Sequence, residues 1–450
     1  MKRMILAVSL AALLVAILSA PAWAGFGEGI AAYKRGDYAT ALREWWPLAV
    51  QGDAPAQAFL GLMHDNGQGV PRNNAEAVKW LRMAAGQGLD VAQLYLGDMH
   101  TLGHGVPQDG AEAAKWYRKA AGQGLADAQF SLGLMHYKGQ GVRKDYAEAV
   151  KWLRKAAGQG LAAAQNGLGA MYYKGQGVPR DYDEAVKWHR KAAVQGHDGA
   201  QFKLGLMYAN SLGIRKDYAK AVKWYRKAAD QGNADAQFSL GLMHYKGQGV
   251  RKDYAEAVKW YRKAADQGHA GAQYSLGDMY YKGQGVAQDH DEAVKWWRKA
   301  AGQGHAATQA FLGDMYYQGQ GISRDYIQAH TWFNFAAMRG NTNAVKGRDL
   351  IAGRMTPAQI ATAQRMARKQ TQTADTPPNA PSAATFPVPA TLIRKIQKSL
   401  AQLGYGSGPA DGVLGGRTRS AIRAFQRNIG LPVDGRPSEE LLRHLGRAHN

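Results

Sequence analysis

The chain has 450 residues, no cysteine and a formal net charge of +22. The missing thiols exclude disulfides, Cys-ligated zinc, a thiol nucleophile and a lipid-modified N-terminal cysteine, and a hydrophobic content of 46% excludes broad disorder. At roughly 150 residues per domain the length implies about three units, and 55 glycines imply many regular turns.

Lys2 and Arg3 precede a continuous apolar run from Ile5 to Ala20, and Ala22-Trp23-Ala24 places small residues just before Gly25. This is the pattern of a secretory signal peptide over residues 1–24. The run is short for a membrane span of about 20 residues. The mature chain is therefore expected to be exported, periplasmic or otherwise wall-associated, without stable membrane insertion. Export also makes nucleic acid an unsuitable partner, although loss of Lys2 and Arg3 still leaves a net charge of +20.

Residues 25–53 read as N-terminal capping helices. A period of 36 residues then governs the chain from 54 to 340. Trp recurs at 80, 116, 152, 188, 224, 260, 296 and 332. Gln-Gly pairs run in the same step from 51 to 303, and Leu-Gly pairs from 60 to 312. Residues 128–157 and 236–265 differ only at Leu153 and Tyr261, a trace of internal duplication. A fixed period of this size means a stacked array in which one unit cannot bury its own apolar face.

Each period reads as two helices. In the third, Ala126 to Lys138 carries apolar and small residues at helical spacing. Gly139-Gln140-Gly141 ends that helix, because glycine takes positive φ most readily. Asp145 and Glu148 form a capping-box pattern for the second helix, whose expected apolar stripe is Ala149, Trp152 and Ala156. Gly158-Gln159-Gly160 ends it. The box weakens at Asp217/Lys220 and Asp325/Gln328, and Asn210-Ser-Leu-Gly213 departs from the G-x-G turn. Leu132-Gly133 is placed to let two helices cross closely.

This text, A-x-A-Q-x-x-L-G-x-M-Y/H-x-x-G-x-G-V-x-x-D-x-x-x-A-x-x-W-x-x-K-A-A-x-Q-G, resembles the Sel1-like repeat, a relative of the tetratricopeptide repeat. The resemblance implies an all-α fold: an α/α solenoid superhelix of eight helix pairs over residues 54–340. It also implies protein–protein scaffolding, frequently in bacterial envelopes. The first-helix face that varies between repeats is the candidate partner surface: Phe130, Leu134, Tyr137, Phe202, Phe238, Leu242, Tyr245, Tyr274, Tyr281 and Tyr317. His64, His100, His136 and His244 share one repeat position with Tyr172, Tyr208, Tyr280 and Tyr316. Their spacing of about 10 Å, one helix diameter, suits packing and not a metal site. No H-E-x-x-H or G-x-S-x-G motif appears, and no cofactor is implied. Lys and Arg rows on the second helices read as solvated ridges with pairing along the helix, or as attraction to an anionic wall or an acidic partner.

Residues 341–369 read as C-terminal capping helices, the last opening at Thr356. Residues 370–390 hold five prolines and read as an extended linker that holds no helix. From 391 to 450 the pattern is that of a small three-helix domain: Ile393 to Leu403, Thr418 to Asn428, and Glu439 to Leu445. Ile396-Gln397, Leu400, Leu403-Gly404-Tyr405, Asp411-Gly412, Thr418, Phe425-Gln426 and Asp434-Gly435 resemble the peptidoglycan-binding domain that accompanies many cell-wall enzymes. Leu414, Gly416 and Arg436-Pro437-Ser438 depart from that family's turns. The resemblance implies peptidoglycan as ligand, with Asp411, Arg417, Thr418 and Gln426 as contacts. Arg417 or Arg419 suits a stem-peptide carboxylate. Together the two resemblances imply a non-enzymatic adaptor between peptidoglycan and an envelope protein. The alternatives are a peptidoglycan-modifying enzyme, or a regulator that restrains an envelope enzyme or sensor.

Overall fold

The structure is a computed structural model that describes residues 24–374, 390–406, 410, 416–429, 441, 442, 444 and 445. Among these residues there are 22 helices and no strand. Two helices, Ala24–Lys34 and Tyr38–Val50, precede the array. Eight repeats follow, from the pair Ala54–Asn66 and Asn74–Gly86 to the pair Ala306–Gln318 and Tyr326–Met338. Thr342–Ala352 and Pro357–Ala374 close it, and Ala390–Gln402 and Gly416–Asn428 belong to the C-terminal segment. The chain divides into two compact units at residues 364 and 365.

The two glycines of each G-x-G turn have separate tasks. Gly139, at φ 72°, ends the first helix of repeat 3 and sends its N–H to the Met135 carbonyl. Gly141, at φ 68°, lies against the preceding repeat: a Cβ there would sit 2.0 Å from the carbonyl carbon of Gly110. In repeat 5 the turn keeps its shape although Ser211 replaces the first glycine. Ser211 takes φ 57°, alone among the described non-glycine residues in having a positive φ.

The second helix is capped as its Asp requires, but the capping box closes only halfway. Asp145 Oδ1 accepts from the N–H groups of Ala147 at 2.9 Å and Glu148 at 3.0 Å. The N–H of Asp145 goes instead to the His136 carbonyl at 2.9 Å, and Glu148 turns to Lys151 at 3.1 Å. That is why Lys220 and Gln328 do not weaken their caps: Asp217 and Asp325 still accept from the same backbone position. A reciprocal box does occur at Thr356, whose N–H donates to Gln359 Oε1 at 2.8 Å while its hydroxyl accepts from the Gln359 N–H at 3.3 Å.

The apolar stripe keeps the expected Ala149 and Ala156 but takes Leu153 in place of Trp152. Repeat 3 buries Ala149, Val150, Leu153, Ala156 and Ala157, while Trp152 is half-buried under Lys155, whose Nζ lies 4.6 Å from the ring centroid. The residue after each Trp fills the space over the Leu-Gly pair of its own repeat. A Cβ on Gly133 would meet Leu153 Cγ at 3.1 Å, and one on Gly241 would meet the Tyr261 ring at 2.7 Å. The Leu-Gly signal therefore marks the closest crossing within a repeat.

The Gln-Gly signal marks the junction between repeats. Buried Gln129 donates through Nε2 to the Ala121 carbonyl of repeat 2 at 3.2 Å. Its Oε1 accepts from Gln159 Nε2 at 2.9 Å, and Gln159 also donates to the Gly124 carbonyl at 2.7 Å. The same pair recurs down to Gln273 and Gln303, at 2.7 Å. Arg339 replaces the next glutamine, and Gln309 Oε1 is left buried without a hydrogen-bond partner among the described residues.

Two boundaries move. The helix Pro357–Ala374 continues through residues 370–374, where the expected linker was to hold no helix. The first proline of that segment is Pro377, so nothing local stops the helix earlier. The helix Gly416–Asn428 starts two residues before the expected Thr418. In the second unit Ile396, Leu400, Ala421, Ile422, Phe425, Leu441 and Leu445 make a small core. Only Leu441, Leu442, His444 and Leu445 of the expected third helix are described, and these are helical.

Candidate functional site

The first helices carry a face that alternates between packing and exposure. Phe130, Leu134, Tyr137, Phe202, Phe238, Leu242, Tyr245, Tyr274, Tyr281 and Tyr317 are all half-buried. One side of each ring leans on a neighbouring helix. Phe202 and Tyr225 have centroids 5.9 Å apart, Phe238 and Tyr261 5.7 Å, and Tyr281 and Trp297 5.5 Å. Tyr137, Tyr245 and Tyr317 each meet the first tyrosine of the following helix, Tyr146, Tyr254 and Tyr326, at 5.5, 5.4 and 6.0 Å. Tyr274 meets His305 at 6.0 Å. The exposed side of each ring is what the face offers a ligand.

Polar residues interrupt this face, among other places, in repeats 2 and 4. In repeat 2 the position of Leu134 is Asp98, which accepts from the Tyr117 hydroxyl at 2.6 Å. Burial pushes the Asp98 carboxyl up to about 6. In repeat 4 the Phe and Tyr of repeats 5 and 6 become Asn166 and His189, joined Oδ1 to Nδ1 at 3.1 Å. Burial pushes the His189 imidazole down to about 4. The sequence signal for this pair was available: two positions, 23 residues apart, lose apolar character in the same repeat.

The basic rows of the second helices are mostly engaged within the protein. Lys115, Lys151, Lys187 and Lys295 pair with the glutamate three residues earlier at 2.6–3.1 Å. Lys119, Lys191 and Lys263 sit over Trp116, Trp188 and Trp260 at 4.2, 4.3 and 4.1 Å. The Arg row reaches the next repeat: Arg154 donates to the Tyr172 hydroxyl at 3.0 Å and Arg190 to that of Tyr208 at 3.3 Å. Arg226 lies 3.5 Å from His244 Nε2. At this shared position the tyrosines Tyr172 and Tyr208 and the histidine His244 thus each meet an arginine of the preceding repeat. Among the described residues no group of His, Asp or Glu is arranged to hold a metal ion.

In the second unit Thr418 and Gln426 are buried, and the Thr418 hydroxyl accepts from Gln397 Nε2 at 3.1 Å. Arg417 is in the helix Gly416–Asn428. Asp411 lies outside the described residues.

Residues 54–341 match the Sel1 repeat family in eight consecutive segments. The chain belongs to the Sel1 repeat family. Residues 390–445 match the family of peptidoglycan binding domains. Solved structures to which the Sel1 array is similar include the following two. A Sel1 repeat protein from Oxalobacter formigenes is 36% identical, with a TM-score of 0.56, over 70% of this chain and 92% of the other. The protective antigen c5321 of uropathogenic Escherichia coli is 35% identical, with a TM-score of 0.50, over 77% of this chain and 83% of the other. The localization factor PodJL of Caulobacter vibrioides is 36% identical over 107 residues, which is 24% of this chain and 10% of the relative. The match thus spans about a tenth of that relative's length. Among the described residues of this Sel1 repeat protein no helix is long and apolar enough to cross a membrane.

Proposed function

We propose that this protein is an exported, non-enzymatic adaptor that holds peptidoglycan through residues 390–445 and an envelope protein through the first-helix face of its repeats. The match of residues 390–445 to peptidoglycan binding domains carries the wall half of this reading. The row of half-open aromatic side chains supports the protein-binding half. Asp411 and Arg417 are the proposed wall contacts. Thr418 and Gln426 are buried, so their proposed part is to hold the helix Gly416–Asn428 in place.

Sedimentation with purified peptidoglycan tests the reading. The full mature chain should pellet, and a chain ending at Ala374 should stay in solution. Salt should weaken the pelleting without abolishing it, and no muropeptide should be released. Equal pelleting of both chains, with full release by salt, would mean that the basic array adheres nonspecifically. Muropeptide release would assign the protein to the wall enzymes.

A further inference from the structure

The cations of the first helices differ from those of the second. Lys138, Lys174, Lys203 and Lys246 are exposed. None of the four joins an ion pair among the described residues, although Lys174 Nζ lies 3.4 Å from the Tyr137 hydroxyl and Lys203 Nζ 5.2 Å from the Phe202 ring centroid; Lys282, the repeat-7 counterpart of Lys138, Lys174 and Lys246, is held by Asp278 at 2.8 Å. The carboxylates around the four lysines are engaged or withdrawn. Asp198 accepts from Asn233 Nδ2 at 2.9 Å, and Asp235 lies 3.3 Å from His269 Nε2. Asp127 is half-buried, and burial pushes its carboxyl up. Between the lysines runs a half-open apolar row, Leu134, Ala170, Leu206 and Leu242. The same position holds Asp98 in repeat 2, Asp278 in repeat 7 and Asp314 in repeat 8. Across repeats 3–6 the row itself is apolar and flanked by lysines, with Asp127, Asp198 and Asp235 set back at the helix starts, and carboxylates stand in the row at repeats 2, 7 and 8.

We propose that the first-helix face of repeats 3–6 binds an acidic polypeptide segment that carries apolar side chains. This rests on the reading that the face binds protein, and it adds the chemistry and the span of the partner. Leu134, Leu206 and Leu242 take the apolar side chains. Lys138, Lys203 and Lys246 meet the carboxylates. The exposed Asp314 of repeat 8 repels the same segment at one end, which limits its reach along the array.

Fluorescence anisotropy with the full mature chain tests this. The probes are labelled peptides of repeated Asp-Leu-Glu-Tyr, repeated Lys-Leu-Arg-Tyr and repeated Asp-Ser-Glu-Gly. The acidic apolar peptide should bind at least about tenfold tighter than either control. Lys203→Glu with Lys246→Glu should weaken it about tenfold or more. Lys151→Glu with Lys187→Glu changes the net charge equally on the second helices and should weaken it less than about twofold. Far-UV circular dichroism and melting temperature verify that both variants fold. Equal loss in the two double variants, equal binding of the serine–glycine peptide, or no binding of the acidic apolar peptide overturns the proposal. A second variant, Leu206→Arg with Leu242→Arg, separates the two claims. If it abolishes recovery of envelope proteins on the immobilised chain while the peptides fail, the face binds protein but the acidic partner is wrong. If neither responds, the face reading fails as well.

Discussion

Asn166 and His189 put a hydrogen-bonded polar pair where repeats 5 and 6 have Phe202 over Tyr225 and Phe238 over Tyr261. The pair has a cost that depends on pH. His189 is 1% exposed and its Nε2 has no partner among the described residues. Burial holds its folded-state pKa at about 4, against 6.5 in the unfolded chain. Between these values the unfolded state carries the extra proton, so stability is full above pH 6.5 and is lost as pH falls toward 4. The loss is about 1.4 kcal/mol per pH unit, hence about 2 kcal/mol at pH 5. Asn166→Phe with His189→Tyr copies the neighbouring repeats and should remove that slope. Melting curves at pH 7.5 and pH 5 should show a smaller drop for the double variant than for the parent. Equal drops would mean that His189 accepts a proton without opening the core.

At the scale of the helix and its turns, the glycines divide into those that a neighbour crowds and those that nothing meets. Gly158, in the last turn of its helix, has no atom within 4 Å of an added Cβ. Gly158→Ala should stabilise by up to about 1 kcal/mol, the usual glycine penalty in a helix. Gly141 combines φ +68° with backbone only 2.0 Å from the same added atom. Gly141→Ala should cost about 3 kcal/mol. Urea midpoints of the full chain should move in opposite directions. An unchanged or raised midpoint for Gly141→Ala would mean that loop placement does not depend on the Gly110 contact, and a lowered midpoint for Gly158→Ala would sink the helix-propensity argument there. The sequence announced Gly141 by a period that holds in all eight repeats, whereas Gly158 shares its position with Val194, Asp230 and Asp266, and the helix ends, turn positions and Asp caps follow from the period directly. It could not announce which partner each polar group takes. Gln129 and Gln159 stand 30 residues apart, and only stacking brings their amides together. The Trp row packs as its period implies, with Trp80, Trp260, Trp296 and Trp332 buried, but Trp152 stays half-buried because a lysine stem covers it. In the C-terminal unit the motif named Thr418 and Gln426, but a motif does not say which of its residues face inward.

Across the whole array one junction breaks the regular stacking. Repeats 3–7 start their first helices with a fully buried alanine, Ala128 through Ala272, and repeat 8 has Thr308, also fully buried. His290–Gly302 and Ala306–Gln318 approach each other over a shorter stretch than the facing helices of any other consecutive repeats. The turn glycine loosens as well. A Cβ on Gly321 would meet His290 Cβ at 3.3 Å, whereas one on Gly285 would meet the Tyr254 carbonyl carbon at 2.4 Å. In a stacked array each interface contributes separately, so the weakest one sets where opening begins. Amides of repeat 8 should therefore exchange with solvent before those of repeats 5 and 6. Thr308→Ala, which restores the small residue of the other junctions, should slow exchange across Ala306–Gln318 by about tenfold, equal to about 1.4 kcal/mol, and leave repeats 5 and 6 unchanged. Hydrogen exchange by mass spectrometry on the full chain reads both regions at once. Uniform exchange along the array in the parent would show that the Thr308 junction is as strong as the rest. An unchanged rate in the variant would place the weakness at His290, where the loop of repeat 8 rests on a side chain and not on backbone.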